Sequence, residues 1–346
     1  MKIAILNLSN NVFKPSTVSS FETIAYKQLF ERQGHDVDVI SNKQGDYTIS
    51  FEDVKDINDY DRLLVVNGAI NFFGGVESPT IIKNYKLMNK YVGTIYYMFT
   101  DFRLPLRQLW PAIAKRDWGH SEDEVIINND IVILSQGSDL EMTRKVHQGH
   151  DLNVVDVIYV PLERYKLETL EQAAYTDREY EFDLIYGGSF RSGKRLKEFE
   201  EYFFDTPYNA ALFGTIKRTQ FKNNYEVEPT FLKKVKPQEM INETSRAKFT
   251  LVMGDAEYND NFITLRLWEA LMSDAVVLIN DAFDPQHKIF PNEPWRYVKS
   301  KQDINELVNN MTKDDLSVSI RKQRDIIELE KRKMLLTNKL LYILED

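Results

Sequence analysis

The chain has 346 residues, which is long enough for two α/β domains, and its 43% apolar and 28% charged residues are typical of globular proteins. It contains no cysteine, so disulfides and thiolate metal sites are excluded, and no apolar run is long enough for a membrane span. The net charge of −9 argues against a wholly basic surface but is compatible with a local basic groove.

The first half of the chain alternates strand and helix patterns, which predicts an open parallel sheet. The amino-terminal apolar run is too short for a secretion signal and is predicted as the first strand. A helix is predicted over residues 21–33, with Ser20 as its cap, Glu22 in its first turn and Gly34 as its stop. The predicted strands are residues 2–6, 36–40, 62–66, 94–99, 131–135 and 154–160, and a second helix is predicted over 81–91.

Polar and aromatic residues follow the carboxyl ends of these strands, where open parallel sheets place their functional groups. Asp101 follows one strand, and a loop with two aromatics and two glycines, residues 71–75, follows another. Residues 80–116 contain seven bases and a single acid, Asp101, which leaves a local charge of +6. The pattern is compatible with an acid or base that faces a polyanion, or with a helix cap beside a solvated row of lysines.

A polar, charge-dense segment without clear periodicity, residues 162–181, is predicted to link two domains. We therefore expect domains at residues 1–165 and 182–315, followed by a C-terminal segment, 316–346, that is predicted as one long charged helix over about 316–344. The predicted strands of the second domain are residues 182–186, 210–213, 249–253 and 275–279, and its predicted helices are 194–204 and 264–273.

A glycine-rich sequence, Tyr-Gly-Gly-Ser-Phe-Arg-Ser-Gly-Lys-Arg at residues 186–195, joins a predicted strand to a predicted helix. Glycines allow backbone N–H groups to approach an anion, and a helix N-terminus attracts phosphate. Arg191 and Arg195 are four residues apart and share a face if the helix has begun, so they could converge on one diphosphate. An ordinary turn with two solvated arginines fits the same pattern. Farther along, Arg266 and Glu269 are three apart and can face one cleft.

Several long segments together resemble the DNA β-glucosyltransferase family of the T-even bacteriophages. The similarity is densest at residues 1–5, 58–66 with 70–75, 99–105, 185–195 and 258–275. The resemblance implies an α/β GT-B fold: two Rossmann-like domains face a central cleft, and the C-terminal helix returns to the first domain. It also implies an enzyme that transfers glucose from UDP-glucose to 5-hydroxymethylcytosine in duplex DNA, with inversion of the anomeric centre and flipping of the target base.

The resemblance also implies a role for individual residues. The catalytic base is Asp101, and the diphosphate is held by Gly188, Ser189, Arg191, Arg195 and Arg266. Glu269 holds the ribose hydroxyls, and Val235 contacts uracil through its backbone, although residues 233–237 depart from the family pattern. The glucose is surrounded by Glu22, Glu163 and Asp255, and the DNA is contacted by Asn71, Phe73, Arg103 and Arg107.

The implied partners are a UDP-sugar and duplex DNA containing 5-hydroxymethylcytosine. No cofactor is required, although a divalent metal, Mg²⁺ or Mn²⁺, is compatible with the diphosphate. The five histidines show no metal-ligand spacing beyond His147 and His150, so no dedicated metal site is predicted. We expect a monomer without a membrane partner, acting in the cytoplasm of the infected bacterial host, where DNA modification evades restriction.

Three alternatives stay open from the sequence. The first is a transferase that moves another sugar, for example a pentose, to the same modified base. The second is a catalytically silent protein that binds modified DNA, although it would not need Asp101 or the arginines. The third is a glycosyltransferase acting on a small molecule or polysaccharide, which would leave the +6 segment and the aromatic loop unexplained.

Overall fold

The structure, a computed structural model, describes residues 1–7, 18–41, 48–66, 87–88, 90–99, 131–136, 153–157, 179–188, 195–236, 239–254 and 265–337. It divides into two compact units. The first comprises Met1–Tyr165 together with Lys333–Asp346, and the second comprises Lys166–Arg332. Within the described ranges, no helix combines the length and the apolar character that a membrane crossing requires.

The first unit contains a seven-stranded parallel sheet in the order β3-β2-β1-β4-β5-β6-β7. Ile3, Ile5, Leu63 and Leu64 are fully buried, as expected for strands covered on both faces. A helix, α1, joins β1 to β2 and covers Val18–Arg32. The strands are β1 (Lys2–Asn7), β2 (Asp36–Ser41), β3 (Ile49–Ser50), β4 (Arg62–Val66), β5 (Ile95–Phe99), β6 (Ile131–Gln136) and β7 (Asn153–Val157).

The second unit contains a six-stranded parallel sheet in the order β10-β9-β8-β11-β12-β13. Its strands are β8 (Phe182–Gly188), β9 (Ala210–Gly214), β10 (Thr230–Phe231), β11 (Ala247–Val252), β12 (Val276–Asn280) and β13 (Tyr297–Val298). Its described helices are α2 (Leu196–Phe203), α3 (Met240–Thr244), α4 (Leu265–Leu271), α5 (Lys301–Asn310) and α6 (Lys313–Thr337).

Helix α2 is anchored by an aromatic cluster. Phe199, Tyr202 and Phe203 are spaced three and four residues apart, so they share one face of the helix and are buried. The Tyr186 ring of β8 meets Phe199 edge to face, with the ring centroids 5.1 Å apart. Burying side chains of this size stabilises a fold by about 1.5–3 kcal/mol each, which fixes the start of α2 above β8.

A buried arginine fastens α6 to the second sheet. Arg296 is fully buried, its Nε donates to Glu293 Oε2 at 2.6 Å, and its Nη1 donates to the Val277 carbonyl at 3.1 Å. Its Nη2 donates to the Ser319 carbonyl of α6 at 2.9 Å. Burial lowers the pKa of Arg296, and the carboxylate of Glu293 partly offsets that effect. A buried charge of this kind needs its partner, so the network couples the helix to the sheet.

The predicted α/β class and its ten strands are confirmed, with strand boundaries shifted by at most three residues. Strands β3, β10 and β13 and helices α3 and α5 were not predicted. The predicted C-terminal helix begins three residues earlier than expected, and residues 338–344 lie outside the described ranges. Of the predicted helix over 81–91, residues 87, 88, 90 and 91 are described; the first three are helical, and residue 91 is not.

Candidate active site

The second sheet reverses its direction of growth between β8 and β11. From β8 the chain adds β9 and β10 on one side, and then returns to add β11, β12 and β13 on the other. Ligands of open parallel sheets bind beyond the carboxyl ends of the strands at such a reversal. These two strands end at Gly188 and Val252, so the segments that follow them form the candidate ligand site of the second unit.

The glycines at the end of β8 accommodate aromatic rings. A Cβ atom on Gly187 would lie 2.1 Å from Cζ of Phe213, and one on Gly188 would lie 2.9 Å from Cε1 of Tyr186. Gly214, which pairs with Gly188, has a φ of +106°, a conformation that favours glycine. Close approach of an anion was the predicted reason for the glycines, and the structure supplies a second reason in the packing of these rings.

Arg195 lies directly before α2 and turns its side chain inward. The residue is only 8% exposed, and its Nη2 donates to the Tyr186 hydroxyl at 2.9 Å and to the Met253 carbonyl at 3.4 Å. The guanidinium carbon lies 5.7 Å from the Tyr186 ring centroid and 5.3 Å from that of Phe199, within cation–π range. Glu198 contacts Nε at 3.9 Å. Arg195 therefore joins the ends of β8 and β11 and places a cation at the strand reversal.

The relation of Arg191 to Arg195 stays a prediction. Helix α2 begins at Leu196, with Arg195 as its N-cap residue, and Arg191 lies outside the described residues. The shared helical face that the spacing suggested is therefore not tested.

Arg266 and Glu269 form an ion pair on α4, the helix that follows β11 in the chain. Arg266 Nη1 donates to Glu269 Oε2 at 2.6 Å, and the sulfur of Met240 lies 4.0 Å from the same nitrogen. The Glu269 side chain is 4% exposed, whereas that of Arg266 is 29% exposed. The pair thus combines a shielded carboxylate with a guanidinium that reaches solvent, which suits a site that must hold both hydroxyl groups and an anion.

Val235 lies in the segment after β10. Its side chain is partly buried and packs, with Leu232, against the cluster formed by Phe182, Ile185, Ala211, Phe213, Met240 and Ala247. Residues 233, 234 and 236, all lysines, are exposed on either side of it. The packing fixes the backbone at Val235, which is the atom group that the predicted uracil contact would use.

The positions of the remaining predicted site residues stay predictions. Glu22 belongs to α1, but its side chain is not among those that the structure describes. The other nine residues lie outside the described ranges: Asn71, Phe73, Asp101, Arg103, Arg107, Glu163, Ser189, Arg191 and Asp255.

Among the described residues, no three or more His, Cys, Asp or Glu side chains lie together in an arrangement that could hold a metal ion. The charged groups described at the strand reversal are two guanidinium groups, and each contacts a carboxylate: Arg195 contacts Glu198, and Arg266 contacts Glu269. Carboxylates engaged in this way are less available to a metal ion, which prefers several oxygen ligands.

Sequence reasoning missed two residues of this site, Tyr186 and Met253. Tyr186 supplies an oxygen to the guanidinium of Arg195, and Met253 supplies a backbone carbonyl. The position of Tyr186 at the end of a buried strand, directly before two glycines, was a usable signal. A backbone acceptor such as that of Met253 leaves no signal in the residue type.

Comparisons with known proteins bear on this site. The family model "Bacteriophage T4 beta-glucosyltransferase" matches residues 1–166. The DNA beta-glucosyltransferase of Enterobacteria phage T4 is 43% identical over 322 residues, which covers 91% of each chain. A crystal structure of the T4 phage enzyme with UDP-glucose covers both chains fully at a TM-score of 0.83 and 36% identity. Its complex with UDP and Mn²⁺ gives a TM-score of 0.83 at 38% identity, again over both whole chains.

These findings confirm the predicted fold class, that of the two-domain GT-B glycosyltransferases. Within that class, the sequence identity to the T4 enzyme and its extent over both chains decide the family. The chain belongs to the bacteriophage T4 β-glucosyltransferase family, and the predicted resemblance is confirmed.

Proposed function

We propose that this protein transfers glucose from UDP-glucose to the hydroxymethyl oxygen of 5-hydroxymethylcytosine in duplex DNA, with inversion of the anomeric carbon. The observation that carries the proposal is the similarity to a DNA β-glucosyltransferase along 91% of both chains. The T4 relative binds UDP-glucose. In this chain, two arginines and a shielded carboxylate lie on the segments that flank the strand reversal of the second sheet, which supports the same donor.

The second unit binds the donor diphosphate in this proposal. Arg195 and Arg266, together with Arg191, supply the positive charge, and the backbone at Gly188 and Ser189 supplies N–H donors. The departing UDP gains negative charge as the glycosidic bond to phosphate breaks. Cations that are already held in place stabilise that charge without reorganising, so they lower the barrier and not only the dissociation constant.

Carboxylates and one backbone group recognise the rest of the donor. Glu269 accepts hydrogen bonds from the ribose hydroxyls, since a carboxylate has two acceptor oxygens for a vicinal diol. The backbone of Val235, fixed by its packing, contacts uracil. Glu22, Glu163 and Asp255 surround the hydroxyl groups of the glucose by the same chemistry.

The first unit binds the acceptor and supplies the base. The carboxylate of Asp101 removes the proton of the acceptor hydroxyl, whose oxygen then bonds to the anomeric carbon on the face opposite to UDP. The bond to the phosphate oxygen breaks as the new one forms, which gives inversion, and a single base suffices. Arg103 and Arg107 neutralise DNA phosphates, and the loop carrying Asn71 and Phe73 enters the duplex while the target base is flipped.

A divalent metal is an optional partner of the diphosphate and not a requirement. The T4 relative is seen with UDP and Mn²⁺. The carboxylates described near the strand reversal, Glu198 and Glu269, each contact a guanidinium, so an Mg²⁺ or Mn²⁺ ion would be held chiefly by phosphate oxygens. The protein acts as a monomer in the cytoplasm of the infected host, and the glucose it adds shields DNA from restriction.

The test is mass analysis of a hydroxymethylated duplex after incubation with a panel of nucleotide sugars, including UDP-glucose and a UDP-pentose. We expect the mass gain of one hexose per modified cytosine with UDP-glucose alone. The matched controls are unmodified duplex with the natural protein and hydroxymethylated duplex with the Asp101→Asn variant. The DNA should gain no mass in either control within the time that the natural protein needs to modify its substrate. A mass gain from the pentose donor alone would show that the transferred sugar is a pentose, and no gain from any donor would contradict the proposed transferase activity.

A further inference from the structure

The hydroxyl group of Tyr186 lies in an otherwise aromatic environment. The residue is 3% exposed, and its ring meets Phe199 and Phe203 edge to face at centroid distances of 5.1 and 6.3 Å. A phenylalanine would satisfy this packing equally well. The hydroxyl oxygen, however, accepts a hydrogen bond from Arg195 Nη2 at 2.9 Å.

Two neighbouring tyrosines of the same cluster use their hydroxyl groups within the core. The Tyr202 hydroxyl donates to the Val298 carbonyl at 3.2 Å and accepts from Asn280 Nδ2 at 2.9 Å, and the Tyr208 hydroxyl donates to the Tyr202 carbonyl at 2.8 Å. The Tyr186 hydroxyl differs from both in its partner, because it accepts from a guanidinium at the strand reversal.

The local backbone is adapted to bring this ring close. Gly188, two residues after Tyr186, leaves room for it, because a Cβ atom there would lie 2.9 Å from both Cε1 and the hydroxyl oxygen. Any larger residue at position 188 would displace the tyrosine from Arg195. The glycine thus determines where the hydroxyl lies.

We propose that Tyr186 is a positioning residue of the donor site, and that it acts by fixing the guanidinium of Arg195 for the diphosphate. The inference rests on the proposed role of Arg195 in donor binding. The Tyr186 hydroxyl accepts a hydrogen bond from Nη2, and the rings of Tyr186 and Phe199 lie within cation–π range of the guanidinium, so Tyr186 helps to fix the orientation of this group. Supporting contacts of this kind determine how accurately a binding group is aimed.

The test compares Tyr186→Phe with Tyr208→Phe, which removes a similarly buried hydroxyl from the same cluster and breaks its hydrogen bond to the Tyr202 carbonyl. Thermal unfolding should show similar, small losses of stability for the two variants. Calorimetric titration with UDP should show a dissociation constant raised about three- to tenfold in Tyr186→Phe, the range expected from one lost hydrogen bond, and unchanged in Tyr208→Phe.

A double-mutant cycle with Arg195→Met then separates the inference from the function on which it rests. If Tyr186 acts through Arg195, adding Tyr186→Phe to Arg195→Met changes UDP affinity no further. Additive losses would mean that Tyr186 acts on the ligand independently and would overturn the positioning role. Equal UDP affinity in both tyrosine variants would also overturn it while leaving Arg195 in the site. Unchanged affinity in Arg195→Met itself would reject Arg195 as a donor ligand, and the inference with it.

Discussion

Replacing Glu269 by glutamine tests whether the second unit recognises a ribose. The side chain is 4% exposed and accepts a 2.6 Å hydrogen bond from Arg266, so its carboxylate is held in one orientation. Glutamine keeps the shape and removes the charge. A hydrogen bond to a charged group contributes about 1.5–3 kcal/mol, which corresponds to a loss of roughly 10- to 150-fold in affinity if a ribose hydroxyl donates to Glu269.

The assay compares UDP with 2′-deoxy-UDP, because the freed charge of Arg266 affects both nucleotides equally. The natural protein should prefer UDP by about tenfold or more, and Glu269→Gln should lose most of that preference. Glu228→Gln is the matched control, since Glu228 is an exposed carboxylate that pairs with Arg218 at 2.6 Å in the same unit. If Glu269→Gln discriminated between the two nucleotides as well as the natural protein does, Glu269 would not bind the 2′-hydroxyl.

Three further predictions concern catalysis, DNA opening and stability. Asp101→Asn should lower the single-turnover rate by about 10²- to 10⁴-fold and leave UDP and DNA affinities unchanged, and an unaltered rate would remove Asp101 as the base. Phe73→Ala should slow transfer more on matched duplex than on a duplex whose target base is mispaired, because flipping costs less there. Equal losses on both would indicate core packing. Arg296→Met should cost about 3–5 kcal/mol by breaking a buried pair, while Arg218→Met should cost about 1 kcal/mol or less, as measured by denaturant unfolding. Burial alone would raise the pKa of Glu293, but hydrogen bonds from Lys322 and Arg296 outweigh that effect and hold the pKa below its ordinary value. The pKa of Glu293 is thus lower in the folded state than in the unfolded state. The stabilisation from its ionised carboxylate is therefore present above the unfolded pKa and is lost as the pH falls through the folded pKa.

Most of the longer strands could be predicted from sequence because they contain apolar runs between polar segments, and β2 because its apolar residues alternate with polar ones. Three of the four edge strands could not, since β3, β10 and β13 have two residues each and show no periodicity. Helix α5 carried a signal that went unused: Ser300 and Asp303 form a capping box, in which Ser300 accepts from the Asp303 backbone and Asp303 Oδ2 accepts from the Ser300 backbone at 3.0 Å.

The contacts between site residues likewise separate into those that the sequence predicts and those that it does not. The three-residue spacing of Arg266 and Glu269 places both on one face of a helix, and the structure shows them hydrogen-bonded. Tyr186 and Arg195 are nine residues apart across the end of a strand, where no periodic rule relates the two side chains. Contacts that depend on one helix are therefore predictable, whereas contacts made across a turn require the tertiary structure.

Two buried arginines of the second unit differ in a way that indicates their roles. Arg296 is fully buried and hydrogen-bonded to the carboxylate of Glu293 at 2.6 Å, so its charge is neutralised where it lies. Arg195 is nearly as buried, but its closest described hydrogen bond is to a neutral hydroxyl, and its carboxylate contact with Glu198 is 3.9 Å long. The close pairing with a carboxylate ties Arg296 to the core, where a buried charge needs its partner. In the proposed function, by contrast, the guanidinium of Arg195 supplies positive charge at the end of β8 to the donor diphosphate, which brings its own negative charge.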